Sequence, residues 1–181
     1  MTDKFLRCLR FVLKWEGGLS NDPADRGGLT KWGVTQATYD RYRTAKGLLL
    51  QSVAKLTDAE MREIYWHYYW LPVKADEFAY PLALALFDTG VNMGTVTAIR
   101  LLQRAINDLL PQQKWVAVDG VLGEQTLKAA KNLDAKRLAL KLCDRREERY
   151  YAIVRANPTQ RKFLRGWLNR LNDLRRSIQQ P

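Results

Sequence analysis

The stretch Lys14–Thr35, KWEGGLSNDPADRGGLTKWGVT, decides how the first part of the chain folds. The residues before it, from about Thr2 to Trp15, follow a helical period, and the two glycines after Glu16 suit a left-handed helix cap. Residues 19–34 are rich in glycine and aspartate, which predicts a long loop in which short β-strands can form. Glu16 therefore stands where the first helix meets this loop.

Glu16 continues the apolar face of that helix. Phe5, Leu9, Val12 and Glu16 are spaced by four, three and four residues, so they share one side. We expect the carboxyl to point toward the core at a helix C-terminus, where the backbone dipole disfavours a negative charge. Desolvation and the dipole both favour the protonated form that a general acid needs. The alternative is a surface carboxylate beside Lys14.

The loop supplies further candidates for chemistry. Asp22 and Asp25 follow Glu16 by six and nine residues. Two carboxylates in different environments are the usual equipment for cleaving a glycosidic bond, since one protonates the leaving oxygen and the other attacks or activates water. Aspartates among prolines and glycines also form Asx-turns, so a purely structural role stays open for both. Thr30 and Thr35 either position water or bond the backbone, and Thr35 also suits a helix cap.

Aromatic and amide side chains are candidates for substrate binding, because sugar rings stack on aromatic faces and their hydroxyls pair with amides. Trp32 follows the loop directly, and Tyr69 lies in the aromatic run IYWHYYW. That run has too many rings for one helix face, so part of it must be core. Asn92, in GVNMG, either reaches substrate or caps a helix. The predicted substrate-binding residues are Trp32, Thr35, Tyr69 and Asn92.

Helical periodicity dominates the remaining sequence, which predicts an all-α fold of about seven to eight helices. Thr57 and Glu60 form a capping-box pattern, and Pro72 ends the helix that follows. No linker is evident near residues 72–82. We therefore expect one structural domain and one compact body, with a catalytic part over 1–80 and a helical part over 81–181. The predicted helices after the first cover 35–46, 57–70, 81–91, 96–109, 124–132, 135–156 and 159–176.

The charge is strongly positive and uneven. The chain has 181 residues and a net charge of +11, and residues 141–181 carry 11 basic and 4 acidic side chains, a local charge of +7. Such a protein is attracted to nucleic acid, anionic lipid or an anionic wall polymer. The sequence contains no identifiable nucleic-acid recognition motif, so we expect no nucleic-acid partner.

The last predicted helix combines basic and apolar residues. Phe163, Trp167, Leu171 and Leu174 form an apolar stripe, and arginines and lysines cover much of the remainder. This pattern predicts either a core helix with a solvated basic face or an interfacial helix that engages an anionic outer-membrane surface. The basic residues are Arg161, Lys162, Arg165, Arg170, Arg175 and Arg176.

Several classes of protein are disfavoured. No apolar run approaches the ~20 residues that span a bilayer, and basic residues interrupt the N-terminal segment, so we expect synthesis in the cytoplasm without a signal peptide. Cys8 and Cys143 do not make a disulfide framework and are expected to be reduced and buried. His67 is the only histidine. We therefore expect no metal site and no cofactor.

The motifs together resemble a known family. Residues 12–35, VLKWEGGLSNDPADRGGLTKWGVT, look like the opening of glycoside hydrolase family 108, and residues 62–70, REIYWHYYW, look like its aromatic segment. ALFDTGVNMG, AIRLLQRAI and VDGVLGEQTLKA, which begin at residues 85, 98 and 118, resemble the predicted peptidoglycan-binding module that follows it. Arg26 stands where proline is expected, and Trp32-Gly33 replaces the usual Tyr-Gly. VDGVLGEQT is either a scaffold turn or a contact to the wall.

The resemblance implies a lysozyme-like fold with a long catalytic loop after helix one. It also implies an N-acetylmuramidase that cleaves the β-1,4 bond between N-acetylmuramic acid and N-acetylglucosamine, with Glu16 as catalytic acid. Glu16, Asp25 and Thr30 echo the Glu-Asp-Thr order of phage-type lysozymes. A monomeric phage or prophage endolysin that reaches the periplasm and cell wall through a holin is the expected biology. The alternative is a noncatalytic peptidoglycan-binding or secretion-associated protein of the same fold.

Overall fold

The computed structural model describes residues 1–20 and 29–180. Contacts between Cα atoms divide the chain into two units, Met1–Tyr68 and Tyr69–Pro181. The expectation of one structural domain with parts over 1–80 and 81–181 stays a prediction.

The first unit consists of helices around a small sheet. The strands form an antiparallel sheet in the order β1-β2-β3, with Ser20 opposite Thr30 and Thr30 opposite Thr35. The predicted helices over 2–15 and 35–46 are confirmed, as are the short strands of the loop. The elements are α1 (Asp3–Glu16), β1 (Leu19–Ser20), β2 (Thr30–Lys31), β3 (Val34–Thr35), α2 (Gln36–Ala45), a 3-10 turn (Val53–Lys55) and α3 (Asp58–Tyr65).

Helix α1 buries the face that the sequence predicts. The Thr2 hydroxyl accepts a hydrogen bond from the Phe5 backbone N–H and caps the helix at its start. Phe5 and Val12 are fully buried and Leu9 nearly so. The helix ends at Gly17, whose φ of +70° is in the region that favours glycine. The apolar face thus leads directly to Glu16.

The aromatic helix differs from the prediction. The capping box of Thr57 and Glu60 is present, but the expected single helix over 57–70 is wrong, because the α-helix ends at Tyr65 and Trp66–Trp70 forms a π-helix. A π-helix bonds residue i to i+5, so each turn is wider and the following side chains rotate to new directions. The wider turn accommodates consecutive bulky rings, and Trp66 meets Phe5 edge-on at 5.0 Å between ring centroids.

The second unit is a helical bundle around α4. Helix α4 is buried along residues 82–90 and packs against α5, α7 and α8. The predicted helices over 81–91, 96–109, 124–132, 135–156 and 159–176 are all present. The α-helices are α4 (Tyr80–Met93), α5 (Thr95–Leu109), α6 (Glu124–Lys131), α7 (Ala135–Ala156) and α8 (Arg161–Gln179), with 3-10 turns at Ala75–Glu77, Gln112–Lys114 and Pro158–Gln160.

An ion cluster lies inside this bundle. Asp88 is fully buried and accepts hydrogen bonds from Arg146 Nη1 at 2.6 Å and from Arg170 Nη2 at 2.7 Å. Burial raises the pKa of Asp88, but the two guanidinium charges and their hydrogen bonds outweigh burial and lower the pKa below its usual value. The prediction that Arg170 belongs to an exposed basic face is wrong, because its charge is needed inside the core.

Helix α8 changes character along its length. Leu171 and Leu174 are fully buried, whereas Phe163 is 45% exposed. Trp167 stacks on Tyr150 with ring centroids 5.1 Å apart. The predicted stripe is therefore core only in its second half. Of the helices that the structure describes, none is long and apolar enough to cross a membrane.

The VDGVLGEQT motif forms a scaffold turn in the second unit. Gln103 is fully buried, and its amide donates to Asp119 Oδ1 at 2.8 Å and accepts from the Gly120 N–H at 2.9 Å. Asp119 Oδ1 also accepts from the Val121 N–H at 2.8 Å. Hydrogen bonds from Val121 and Gln103 lower the pKa of Asp119. Asp119 Oδ1 and the Gly120 N–H are thus bonded within the fold itself.

Candidate active site

A two-residue turn beside the end of α1 organises the candidate site. Lys31 pairs with Val34 across the hairpin, and the two residues between them, Trp32 and Gly33, have φ of 50° and 74°. Two positive φ values in a two-residue loop are typical of a type I′ turn, which matches the twist of antiparallel strands. Glycine adopts this conformation freely, but Trp32 does so at a cost in backbone strain. Strain of this kind often marks a functional position.

Gly33 brings the turn into contact with Glu16. A Cβ atom at position 33 would lie 2.6 Å from Glu16 Oε2, 2.9 Å from Glu16 Cβ and 2.7 Å from the Tyr65 hydroxyl. These separations are shorter than any side-chain carbon tolerates, so the backbone can approach the carboxyl this closely only at glycine. Glu16 itself is half-buried. The turn therefore forms one wall around the carboxyl.

Tyr65 holds the turn in place. It is the last residue of α3 and is 1% exposed. Its hydroxyl donates a hydrogen bond to the Trp32 carbonyl oxygen at 2.8 Å. Because a buried hydroxyl needs a partner, this bond fixes the position of the turn relative to α3. The end of α1, the hairpin and the end of α3 thus converge on Glu16.

Lys31 anchors the other side of the hairpin. Its ammonium group donates to the carbonyl oxygens of Ala54 at 3.0 Å and Leu56 at 2.9 Å. The same ammonium lies 4.5 Å from the centre of the Trp32 ring, within cation–π distance. The indole is therefore held from one face, and it is half-buried.

Two other carboxylates of the first unit are engaged in its scaffold. Glu60 accepts hydrogen bonds from the Tyr39 hydroxyl at 2.8 Å and Arg43 at 2.7 Å. Burial raises the pKa of Glu60, but hydrogen bonds from Thr57 and Tyr39 and the charge of Arg43 lower it overall. Glu60 is therefore ionised, and its two carboxylate oxygens stabilise the packing of α2 on α3.

Glu63 is held in a similar way. It accepts a hydrogen bond from the Tyr42 hydroxyl at 2.9 Å and pairs with Lys46 at 2.7 Å. The hydrogen bond from Lys46 and that from Tyr42 lower the pKa of Glu63. A carboxylate kept ionised by its partners is a poor proton donor, which distinguishes Glu63 from a general acid.

The predicted site residues of the first unit lie partly together. Glu16 and Trp32 meet at the turn through Gly33, and Thr30 and Thr35 pair across the same hairpin. The Thr35 hydroxyl caps α2, since it accepts from the Thr38 N–H and donates to the Thr38 hydroxyl. Its role as a substrate ligand stays a prediction. Asp22 and Asp25 lie outside the described residues, so their roles stay predictions as well.

The remaining two predicted residues belong to the second unit. Asn92 lies near the end of α4, and its side-chain Oδ1 accepts a hydrogen bond from the Tyr150 hydroxyl at 2.6 Å. Tyr69 lies in the π-helix and is half-buried. Substrate binding by either residue stays a prediction.

Sequence reasoning missed Gly33 and Tyr65 as parts of the site. Gly33 had a signal, because a glycine in a two-residue segment between short strand-like pairs is typical of a type I′ turn. Tyr65 had none, since its role depends on which ring of a crowded aromatic run turns toward the hairpin. Within residues 1–20 and 29–180, no group of three or more His, Cys, Asp or Glu residues could hold a metal ion.

Two family models and a solved structure match the chain. The family model of glycosyl hydrolase 108 matches residues 9–94, and that of the predicted peptidoglycan domain matches residues 97–172. The chain is also similar to the solved structure of Brucella abortus SagA, at 29% identity and a TM-score of 0.78, over 96% of this chain and 92% of that one. No match was found among curated proteins.

The two matched regions follow each other and leave little of the chain uncovered. The predicted all-α, lysozyme-like fold is confirmed. The hydrolase region contains Glu16, the hairpin and Tyr65, and the region after it contains the scaffold turn at Asp119. Peptidoglycan is the substrate, and the activity is glycoside hydrolysis. Residues 9–94 therefore form a glycosyl hydrolase 108 region, and residues 97–172 form a predicted peptidoglycan domain behind it.

Proposed function

We propose that Glu16 is the general acid of an N-acetylmuramidase that cleaves the β-1,4 bond between N-acetylmuramic acid and N-acetylglucosamine. The observation that carries this proposal is the close approach of the Gly33 turn to the Glu16 carboxyl. A half-buried carboxyl at a helix end, held beside a fixed turn, has the restricted position that proton transfer to a bound glycan requires.

The residues of the site have distinct roles in this reaction. Glu16 protonates the glycosidic oxygen, the bond from that oxygen to the anomeric carbon breaks, and positive charge develops on the sugar ring. Asp25 or Asp22 supplies the second carboxylate, which either attacks the anomeric carbon or activates water. Thr30 positions that water, and Trp32 stacks on a sugar ring at the rim of the site.

The products of digestion test the bond that is cleaved. Purified peptidoglycan is digested with the protein, and the muropeptides are analysed by mass spectrometry before and after borohydride reduction. The proposal predicts products that end in reducing N-acetylmuramic acid. Products that end in reducing N-acetylglucosamine, or peptides released from intact glycan, would contradict it.

The two loop aspartates are separated by substitution. Asp25→Asn is expected to lower the rate of wall hydrolysis more than Asp22→Asn. Asp25 follows Glu16 by nine residues, and together with Thr30 these residues resemble the Glu-Asp-Thr order of phage-type lysozymes. Equal and small losses at both positions would mean that the loop aspartates only shape turns.

The biological role proposed for the enzyme is that of a phage or prophage endolysin. The supporting features are its predicted synthesis in the cytoplasm and its wall-directed activity. Action in the periplasm and cell wall then requires a holin to open the membrane, and we propose that the enzyme works as a monomer. Co-expression in a bacterium tests this, since rapid lysis is expected only when a holin is supplied together with the intact enzyme.

Contact with an anionic outer-membrane surface is proposed for the first half of α8 alone. Arg161, Lys162 and Arg165 are exposed there, next to the partly exposed Phe163. Arg170 and Leu171 are buried and take no part. Replacing the three exposed basic residues with glutamine should weaken adsorption to vesicles that contain lipopolysaccharide, and unchanged adsorption would contradict the proposal.

A further inference from the structure

A concave surface on the second unit lies between the segment around Trp115 and helix α6, and Gln125 of VDGVLGEQT is one of its lining residues. It has a volume of ≈ 500 Å³, within the range of about 300–1,000 Å³ that ligand pockets occupy. Its lining combines one aromatic residue, two lysines and two amides with apolar side chains. The residues that matter here are Leu110, Lys114, Trp115, Gln125, Lys128 and Asn132.

Trp115 is the exposed aromatic of this pocket. It is 55% exposed, although a tryptophan normally buries most of its surface. Its indole N–H donates to the Leu110 carbonyl oxygen at 3.2 Å, so the ring is tethered at one edge. A large indole that is fixed in direction and open to solvent resembles the anchors that dominate binding sites.

Asn107 of α5 holds the backbone next to Trp115 in place. Asn107 donates to the Val116 carbonyl oxygen at 2.9 Å and accepts from the Val116 N–H at 2.8 Å. This pair of hydrogen bonds fixes the main chain on the side of Val116 that faces α5. The aromatic wall is thus preorganised, and little conformational entropy is lost when a ligand binds to it.

The opposite wall belongs to α6 and its cap. Gln125, Lys128 and Asn132 are spaced by three and four residues, so they lie on one face of the helix. Lys114 directly precedes Trp115 in sequence, and the side chains of Lys114 and Lys128 are both exposed. Neither lysine forms an ion pair with another residue in the part of the chain that the structure describes. The pocket therefore places positive charge and amide groups around an aromatic face.

We propose that this pocket binds peptide-bearing peptidoglycan, with an aminosugar ring on Trp115 and a stem-peptide carboxylate between Lys114 and Lys128. An amphipathic sugar ring suits an indole face, and the amides of Gln125 and Asn132 suit acetamido and hydroxyl groups. The two ammonium groups suit a carboxylate. In a glycan strand that carries stem peptides, the free carboxylates belong to the peptides and not to the sugars. The inference rests on the proposed function, because it takes the same polymer as ligand at a second place.

Binding to purified sacculi tests the site in the full chain carrying Glu16→Gln, so that the wall is not digested. Trp115→Ala should weaken adsorption roughly tenfold, as expected when an aromatic anchor is lost. Tyr151→Ala is the matched control, since Tyr151 is 40% exposed on the same unit. Equal adsorption by the Trp115 and Tyr151 variants would overturn the proposal.

The charge requirement has its own control. Lys114→Gln combined with Lys128→Gln should weaken adsorption several-fold more than Lys74→Gln combined with Lys136→Gln, which removes two exposed charges elsewhere on the unit. Chitohexaose, a glycan without any carboxylate, should bind weakly and without dependence on the lysines. Binding of chitohexaose as tight as that of sacculi would overturn the assignment of the carboxylate.

Failure of this site is distinguishable from failure of the proposed reaction. In the wild-type background, Trp115→Ala should still hydrolyse short soluble glycan fragments at the wild-type rate while it clears intact sacculi more slowly. Normal muramidase products with unchanged wall adsorption would remove the site and leave the reaction standing. Adsorption that depends on Trp115, without muramidase products, would support the binding site and contradict the proposed reaction.

Discussion

Two acidic residues, one in each unit, extend the apolar face of a helix but lie in contrasting surroundings. Asp88 lies in the middle of α4, is fully buried and is balanced by two guanidinium groups. Glu16 lies at the end of α1, is half-buried and meets a glycine turn. The first carboxylate is held as an ion inside the core, whereas the second is only partly buried and lies beside a turn.

The contrast shows what makes a carboxylate structural. A buried ion needs opposite charges that match its desolvation cost, and once these are in place its proton affinity falls. Such a group stabilises a unique packing of α4, α7 and α8 but has no proton to donate at neutral pH. Glu16 differs in that a glycine turn at the end of a helix fixes its position.

The largest effect on stability is expected from Asp88→Asn. The change removes the Asp88 charge that faces the buried Arg146 and Arg170, and breaking a buried ion cluster by removing one partner costs about 3–5 kcal/mol. Chemical denaturation followed by circular dichroism measures the free energy of unfolding. A decrease in the free energy of unfolding of less than about 1 kcal/mol would show that the ion cluster contributes little to the stability of the second unit.

A combined variant sharpens this result. Replacing Asp88 with leucine, and Arg146 and Arg170 with methionine, removes all three charges together. Since apolar replacement of a whole buried ion cluster is often neutral or stabilising, the triple variant should be more stable than Asp88→Asn. A triple variant that is less stable than the single one would mean that the charges contribute net stability.

The same cluster predicts a pH dependence with a definite sign. The folded pKa of Asp88 is below its ordinary value of 3.8, so the unfolded chain takes up the proton first as the solution is acidified. The stabilisation is complete above the ordinary pKa and is lost as the pH falls through the folded pKa. The stability gap between wild type and Asp88→Asn should therefore be constant from pH 5 to 7 and shrink below about pH 4. A gap that widens in acid would contradict this assignment.

A smaller loss is expected from Gly33→Ala, which tests the site in the first unit. The new methyl group would overlap Glu16 and Tyr65, which costs about 1–3 kcal/mol as overpacking, and its left-handed backbone adds about 1–2 kcal/mol. Displacing the carboxyl by 1 Å can also lower the rate about 10²-fold. Thermal unfolding and release of reducing sugar measure the two effects.

Gly47→Ala is the matched control for Gly33→Ala. Gly47 has φ of +66° and no heavy atom within 4 Å of an added Cβ. The Gly47→Ala variant should therefore lose only about 1–2 kcal/mol of stability, from its left-handed backbone, and keep full activity. Equal loss of activity in the two variants would show that the Gly33 turn does not position Glu16.

The smallest effect is expected from Tyr65→Phe. It removes the hydrogen bond to the Trp32 carbonyl, which costs about 0.5–1.5 kcal/mol of stability, and it loosens the turn beside Glu16, so the rate should fall several-fold. Tyr42→Phe removes a comparable bond, to Glu63, but should leave the rate unchanged. A rate loss of the same size in both variants would assign it to general destabilisation.

Helical periodicity and caps predicted most of the fold, because these signals are local. The apolar face of α1 and the capping box at Thr57 are both confirmed. The π-helix at Trp66–Trp70 was not predictable, since its widening depends on how consecutive rings pack in three dimensions. The burial of Arg170 was missed for a similar reason, as its partner Asp88 is 82 residues away.

The candidate site divides in the same way. Glu16 could be proposed from the sequence because helix phase and loop composition are both local. Tyr65 and Gly33 act through a contact between a hairpin and the end of α3, which no spacing reveals. A lone aspartate in the apolar run of α4 was the one available sign of a buried ion cluster.

The rate of peptidoglycan hydrolysis by Glu16→Gln tests the central claim most directly. The amide is nearly isosteric, so the variant should keep its fold and its adsorption to sacculi, while release of reducing sugar should fall by at least the ~10²–10⁴ expected for losing a general acid. Glu148→Gln, which alters an exposed carboxylate on α7, should retain full activity. A folded Glu16→Gln protein that hydrolyses the wall at nearly the wild-type rate would contradict the assignment of Glu16 as the acid.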